Sequence, residues 1–180
     1  MRYVLLFSLL TLGIYANENN IHKDEAIKAI NALGKVLKND LQKYMQQDSS
    51  GLAAVGFCTA EAQKITNNVN KKLPANISVR RTSSKVRNTE NKKDSLDKWV
   101  MLSQYGDGKA NHKTTFIVEG EDFTRAYKPL FADKVCLKCH GQNIADPLKK
   151  AIDAAYPEDK AVGYKEGDLR GFIVSEVEHP

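Results

Sequence analysis

Two stretches near the start of the chain repeat their apolar residues at helical spacing. Between Asp24 and Gln47 these residues fall at steps of three and four: Ile27, Ile30, Leu33, Leu37, Leu41 and Tyr44. Such spacing places them on one face, which predicts an amphipathic helix. A second face predicts a helix from about Leu52 to Leu73, with Val55, Cys58, Ala62, Ile65 and Val69. The two helices are expected to form a hairpin.

The rest of the chain contains mostly short segments with strand character, separated by turn residues. The predicted strands are Ile77–Thr82, His112–Val118, Phe123–Tyr127 and Leu169–Val177. A helix over Leu96–Gln104 is expected to bury Trp99 and Leu102, and another helix is predicted over Asp146–Tyr156. The polar stretch Ser83–Lys98 reads as a long loop. Helices followed by a mostly antiparallel sheet predict an α+β fold.

The first sixteen residues have the character of a secretory signal peptide. Arg2 precedes an apolar run from Tyr3 to Tyr15, and Ala16 is a small residue suited to cleavage. The run is shorter than the ~20 residues that a membrane-spanning helix needs, which favours cleavage over a retained anchor. We expect a signal peptide over 1–16, a polar lead-in over 17–23 and a single domain over 24–180, exported to the periplasm with no membrane span after cleavage.

The formal net charge of +5 describes a mildly basic protein. Its basic residues are dispersed, apart from a concentration between Arg80 and Lys98, and aromatic residues do not alternate with them. This pattern does not favour nucleic acid as a partner. For most of these charges the plain interpretation is a solvated surface.

The most informative motif is Cys136-Leu137-Lys138-Cys139-His140. The C-x-x-C-H spacing is typical of covalent haem attachment, in which two thiols form thioethers and the adjacent imidazole binds the iron. The sequence therefore predicts one covalent haem c, with His140 as an axial ligand. A signal peptide supports this interpretation, because bacteria attach c-type haem outside the cytoplasmic membrane. The alternatives are a zinc site, a redox dithiol and a plain disulfide.

The residues alone leave the sixth iron position open. Two thioethers use two of the three cysteines and leave Cys58, on the apolar face of the second predicted helix. Such a thiol is either an inert core residue or a thiolate on the iron, where a ferric ion offsets the cost of burying its charge. The other candidates, besides water or an empty position, are His22, Met45, Met101, His112 and His179.

Haem propionates require cationic or hydrogen-bonding partners. Arginine is well suited, because its guanidinium pairs with a carboxylate through two hydrogen bonds. The candidates lie together in one strand and the loop after it: Arg80, Arg81, Thr82, Lys85 and Arg87. A solvated basic loop is the alternative interpretation.

Further segments extend the motif into a wider pattern: Val79–Ser83, Arg87–Asn88, Trp99, Tyr127–Leu130, Cys136–Gly141, Tyr156–Pro157 and Gly163–Gly171. Together, in this order, they resemble a bacterial family of single-haem c-type proteins with a PAS-like fold. The resemblance spans nearly all of the chain after Ala16. It implies that a helical cysteine upstream of the Arg-Arg-Thr-Ser segment, here Cys58, is the second axial ligand. Tyr127 lies in a matched segment and is included among the predicted cofactor contacts.

The same resemblance implies a role. Members of the family occur alone or as extracytoplasmic sensor domains, so we expect a redox or gas (CO or NO) sensor that signals to an unidentified partner protein. A simple periplasmic electron-transfer cytochrome is the alternative. Enzymatic activity is not expected, because two-haem peroxidases need two such motifs and thiol oxidoreductases usually carry theirs early in a β-α-β unit.

Overall fold

The computed structural model describes residues 4–106 and 114–180. Its helices are α1 (Val4–Gln47), α2 (Leu52–Ala60), α3 (Ala62–Asn70), α4 (Ser95–Tyr105), α5 (Leu137–His140) and α6 (Asp146–Ala155). Its strands are β1 (Ile77–Ser83), β2 (Phe116–Glu119), β3 (Phe123–Phe131) and β4 (Leu169–Glu178). Short 3₁₀ turns cover Thr89–Asn91 and Lys134–Cys136. The predicted α+β class is confirmed.

The N-terminal helices differ from the prediction in two places. Helix α1 continues back through the polar segment 17–23, because no glycine or proline interrupts the chain between Ile14 and Leu33. The second predicted helix is divided at Glu61. Just before the break, the Thr59 hydroxyl donates to the carbonyls of Val55 and Gly56, a contact of the kind that bends helices. No helix among residues 4–106 and 114–180 is long and apolar enough to cross a membrane.

The four described strands form one antiparallel sheet in the order β1-β4-β3-β2. Strands β2 and β3 form the predicted hairpin, closed by a hydrogen bond from the Gly120 amide to the Phe123 carbonyl. Strand β2 begins at Phe116, and His112, the predicted start of this strand, lies outside the described residues. Strand β4 occupies a central position, so it pairs with both β1 and β3.

Each face of the sheet is covered by a different helix. Helix α1 packs on one face through the buried side chains of Ala26, Ala29, Ile30 and Leu33. Helix α4 packs on the other through Val100 and Tyr105, against Tyr127, Phe172 and Val174. The prediction that α4 buries Trp99 and Leu102 is wrong, since these side chains are 52% and 72% exposed. The buried stripe runs instead along Leu96, Val100 and Tyr105.

A buried carboxylate sets the orientation of α4. Asp97 is fully buried and accepts two hydrogen bonds from Arg80 of β1, at 2.8 and 2.9 Å. Arg125 of β3 lies 3.6 Å from the same carboxylate and also binds Asp94 and Glu176. Asp94 and Asp97 form a reciprocal capping box at the start of the helix. Helix α4 is thus fastened to two strands of the sheet by charge as well as by apolar packing.

Strands β1 and β4 approach unusually closely at Gly171. Its φ is 154°, and a Cβ atom built there would lie 1.9 Å from the Thr82 carbonyl oxygen. Only glycine fits at this distance. The approach allows the Ser83 hydroxyl to donate to the Arg170 carbonyl at 2.6 Å. The backbone of Arg170 is therefore held beside the end of β1.

We expect Asp97→Asn to lower the free energy of unfolding by about 3 kcal/mol, because it removes the buried acid opposite two arginines. Urea unfolding of the variant and of the parent chain measures the difference. The matched control is Asp153→Asn, which removes an exposed carboxylate 2.6 Å from Lys149. Exposed pairs contribute about 0.5 kcal/mol or less. Equal losses in the two variants would contradict a stabilising role for the buried network.

Candidate functional site

The C-x-x-C-H residues form a compact turn after β3. A 3₁₀ turn ends at Cys136, helix α5 follows directly, and Gly141 ends it by donating to the Leu137 carbonyl. Cys139 packs beside Val55 of α2 and Leu148 of α6, whereas Cys136 packs in a separate cluster with Ala132 and Tyr164. Both thiols are partly buried and neither is in a disulfide. They are presented by one helical turn, next to each other and to His140.

The surrounding backbone fixes the imidazole of His140. Its Nδ1 lies 2.7 Å from the Ala161 carbonyl oxygen, which can only accept, so Nδ1 carries the proton. Burial, together with the positive charges of Arg170 and Arg87, lowers the pKa of His140 to about 2. The ring is therefore neutral near pH 7 and presents the lone pair of Nε2. This is the tautomer in which histidine binds a metal, with its second nitrogen held by a carbonyl.

Arg87 joins the motif to the segment that follows α6. Its guanidinium donates to the carbonyl of Cys139 at 2.6 Å, to Asp159 at 2.8 Å and to the carbonyl of Ala161 at 3.4 Å. Both partners of the Arg87–Asp159 pair are largely buried. Because Ala161 holds His140, Arg87 fixes the position of the imidazole through both the motif and its acceptor.

Cys58 of α2 belongs to the same cluster. Its thiol interacts electrostatically with the guanidinium groups of Arg81, Arg87 and Arg170, and with Cys139. Burial raises the pKa of the Cys58 thiol, and the three arginines act in the opposite direction. The chain thus brings together the motif and the leftover cysteine from a helix about eighty residues earlier.

The site also contains buried polar atoms without hydrogen-bond partners among the described residues. They are Arg81 Nε, Arg87 Nε, Tyr164 Oη and Arg170 Nε. Neither Arg81 nor Arg170 forms an ion pair within residues 4–106 and 114–180, although Arg170 lies over the Tyr164 ring. Unsatisfied buried donors are costly, so they indicate a missing acceptor.

The predicted propionate contacts fall into two groups. Arg81 and Arg87 lie at the site, and Lys85 lies over the Tyr164 ring while donating to the Val162 carbonyl at 3.1 Å. Thr82 does not lie at the site, because it is opposite Phe172 on the α4 face of the sheet. Arg80 points to the α4 face of the sheet, where it binds Asp97. Tyr127 is buried in the core of that face, where its hydroxyl accepts from Arg125 at 3.2 Å.

The other candidates for the sixth position are dispersed. His22 and His179 stack on each other, with ring centroids 4.4 Å apart, beside the turn between β2 and β3. Met101 packs in the core under α4, and Met45 lies near the end of α1. His112 lies outside the described residues. Within the part of the chain that the structure describes, no three His, Cys, Asp or Glu side chains are grouped so that they could hold a metal ion.

Residues 16–177 match the model of the Tll0287-like family. The chain belongs to this family. Among solved structures, the crystal structure of the cyanobacterial haem protein Tll0287 matches with 24% identity and a TM-score of 0.55, over 81% of this chain and 92% of that one. At this identity the likeness shows the shared fold alone. No curated protein sequence matches the chain significantly.

The Tll0287-like match includes the whole candidate site, from Cys58 to Arg170. Sequence reasoning assigned no role to Arg170, Tyr164, Asp159 or Ala161, although the first two lie in a segment that carries the family resemblance. No local motif marks them, because their positions depend on the pairing of β4 with β1 and on the loop after α6. Only the family pattern in Gly163–Gly171 could have pointed to them.

In the cofactor-free chain, acidification is expected to reduce stability through His140. The unfolded imidazole titrates near 6.5 and the folded one near 2, so between these pH values only the unfolded state binds the proton. Stability therefore falls as pH falls through this window, by up to about 1.4 kcal/mol per pH unit from this group. Urea unfolding at several pH values should show a flatter dependence in His140→Gln. The control His179→Gln should keep the slope of the parent chain, and a parallel slope in His140→Gln would refute the assignment.

Proposed function

We propose that the chain is an exported cytochrome with one covalent haem c, attached through Cys136 and Cys139 and bound at the iron by His140 and Cys58. Membership of the Tll0287-like family supports this, because the solved relative is described as a haem protein. The observation that carries the proposal is the set of buried donors without acceptors around His140. These are the orphaned atoms of Arg81, Arg87, Tyr164 and Arg170.

The donor set fits an anionic group that contains a metal. Haem propionates are carboxylates, and buried guanidinium and hydroxyl groups are the donors that satisfy carboxylates. Arg81 therefore keeps its predicted role as a propionate partner in the proposal, and Lys85 and Arg87 border the same region. Thr82 is not assigned this role, because it lies on the α4 face of the sheet. A neutral imidazole with a free Nε2 supplies the nitrogen that a haem iron requires.

Two of the predicted cofactor contacts, Arg80 and Tyr127, are assigned a structural role instead. Arg80 compensates the buried charge of Asp97, and Tyr127 packs edge-on against Phe172 with its hydroxyl on Arg125. Moving either side chain toward a cofactor would leave buried polar groups unpaired. The proposal therefore assigns both to the attachment of α4 to the sheet.

When bound, haem supplies a one-electron couple and a metal that binds diatomic gases. The chain's own residues position and tune it. Ala161 and Arg87 hold the His140 ring, and the guanidinium groups near Cys58 favour its thiolate form. A thiolate donates strongly to iron and favours its oxidised state, so a low reduction potential is expected.

We further propose a redox- or gas-sensing role within a PAS-like domain. Cys58 lies one turn after Val55, which packs against Leu148 and Ile152 of α6. A change in the bonding of Cys58 therefore acts on a helix that is packed against its neighbours, as a switch requires. The antiparallel sheet with helices on both faces supports the PAS-like description. An unidentified partner protein would receive the signal, and the N-terminal sixteen residues support export to the periplasm.

A simple electron carrier is the second candidate. Val135 and Leu52 are 51% and 42% exposed, and both lie beside the cysteine motif. Exposed apolar side chains next to an attachment site suit brief docking of a redox partner. A carrier is expected to keep both axial ligands in both oxidation states, whereas a sensor is expected to change them.

Replacing both motif cysteines by alanine should abolish covalent haem, because each thioether needs one of these thiols. Protein produced with the c-type haem maturation machinery is examined by denaturing mass spectrometry. The mature wild-type chain should gain the mass of one haem, and Cys136→Ala/Cys139→Ala should gain none. Cys58→Ser is the matched control and should keep covalent haem. A colourless wild-type protein under these conditions would overturn the proposal.

Cys58→Ser should remove the thiolate-type low-spin features from the absorption spectrum of the oxidised protein. Thr59→Ser, the neighbouring position on α2, should leave them unchanged. Unchanged oxidised and reduced spectra in Cys58→Ser would exclude Cys58 as a ligand. In the wild type, CO binding after reduction supports the sensor, while a reduced spectrum insensitive to CO supports the carrier.

A further inference from the structure

Arg170 occupies the face of His140 that a metal would need. Its Nη2 lies 2.8 Å from Nε2 of the imidazole and 3.3 Å from Nδ1. Because Nδ1 is already bound by the Ala161 carbonyl, Nε2 is the nitrogen left for a ligand. The contacts of Nη2 with both ring nitrogens place it over the face of the imidazole rather than along the in-plane lone pair of Nε2. A porphyrin bound through its iron at Nε2 would extend across this face, so His140 can bind a haem iron only after the Arg170 side chain has moved away.

The backbone of Arg170 is not free to make that movement. The Ser83 hydroxyl binds its carbonyl oxygen, and the next residue, Gly171, is in contact with the Thr82 carbonyl. Gly171 also pairs with Ser83 on one side and Leu130 on the other. Only the side chain can swing, and the fixed backbone limits how far it travels.

The side chain has no acid to swing toward within the described residues. Its Nε is buried without an acceptor, its guanidinium lies 5.6 Å from the centre of the Tyr164 ring, and it is close enough to Arg81 for the two charges to repel. Arg81 likewise has an orphaned Nε, and its guanidinium donates to the amide oxygen of Gln63 at 3.4 Å, the one hydrogen bond of this side chain among the described residues. Two neighbouring cations that no carboxylate among the described residues compensates form a site suited to an anionic ligand.

We propose that Arg170 is a positioning residue with two partners: it holds His140 in the cofactor-free chain and, once displaced, binds a carboxylate of the incoming porphyrin. The inference rests on the proposed haem site. In this role Arg170, a residue of β4 thirty positions after the attachment motif, selects a porphyrin that carries carboxylates.

The first test uses resonance Raman spectra of the mature holoprotein, in which the propionate bending modes report on hydrogen bonding to the carboxylates. Arg170→Gln should shift these modes, and Arg170→Lys should shift them less. The exposed control Lys72→Gln should leave them unchanged. Unchanged propionate modes in Arg170→Gln would overturn the inference, even if the haem is attached normally. Absence of haem from the wild-type protein would instead overturn the proposed function.

The second test measures porphyrin selectivity in the full chain carrying Cys136→Ala and Cys139→Ala. Affinities for haem and for haem dimethyl ester, whose carboxylates are masked, are compared in the same detergent. The chain with Arg170 should prefer free haem, and Arg170→Gln should reduce this preference by about tenfold or more, the loss expected for a charge-assisted hydrogen bond. An equal preference in both chains would contradict the assignment. Where neither porphyrin binds, the Raman result decides alone.

A third measurement tests the contact between Arg170 and His140 in the chain without haem. Nitrogen-15 NMR of the imidazole in the chain without haem should show a changed Nε2 resonance for His140 in Arg170→Gln. The Nδ1 resonance should shift less, because Nη2 lies farther from it and the Ala161 carbonyl still holds it. A general loosening of the site would move both resonances to a similar extent, and no movement of Nε2 would contradict the contact.

Discussion

Arg81 and Arg170 lie near each other at the end of the β1–β4 pair, and among the described residues no carboxylate pairs with either of them. Burying such charges costs free energy unless an anion compensates them. Burial accordingly lowers the pKa of the Arg81 guanidinium. The rest of the site is linked to these charges. Burial, with Arg170 and Arg87, lowers the pKa of His140 and keeps it neutral, and Arg81, Arg87 and Arg170 oppose the rise in the pKa of Cys58 that burial causes.

Strand β4 brings these charges to the motif. It lies between β1 and β3, so its first residues meet the end of β1 on one side and the chain leading into the cysteine motif on the other. Gly171 permits the close approach, and the Ala132 amide donates to the Asp168 carbonyl just before the strand begins. The sheet therefore acts as a rigid support, on which a site built from loops and one helical turn acquires fixed distances.

Much of the fold could be predicted, because its local patterns agree with the tertiary contacts. Strands β1 and β4 and helix α6 begin where their patterns predict, and end within a residue of the predicted positions. Helix α4 shows where local pattern fails. It carries two apolar stripes, Leu96–Val100 and Trp99–Leu102, and the sequence does not say which is buried. The choice depends on Asp97, whose partners Arg80 and Arg125 come from distant strands. Likewise, His140 could be identified within its motif, but Arg170 could not.

The charges at the site also distinguish among the chemistries that the motif permits. A bare metal ion needs several ligands of its own, and within the described residues no three His, Cys, Asp or Glu side chains are grouped so that they could hold one. The groups that surround the motif are instead the guanidinium groups of Arg81, Arg87 and Arg170. A porphyrin brings two carboxylates with its iron, so its net charge suits the same three cations. In a redox dithiol the chemistry takes place at the two cysteines, so the fixed contact between His140 Nδ1 and the Ala161 carbonyl would not contribute to it. The electrostatics therefore favour a large anionic cofactor over a simple metal ion, and they do so independently of the spacing of the cysteines.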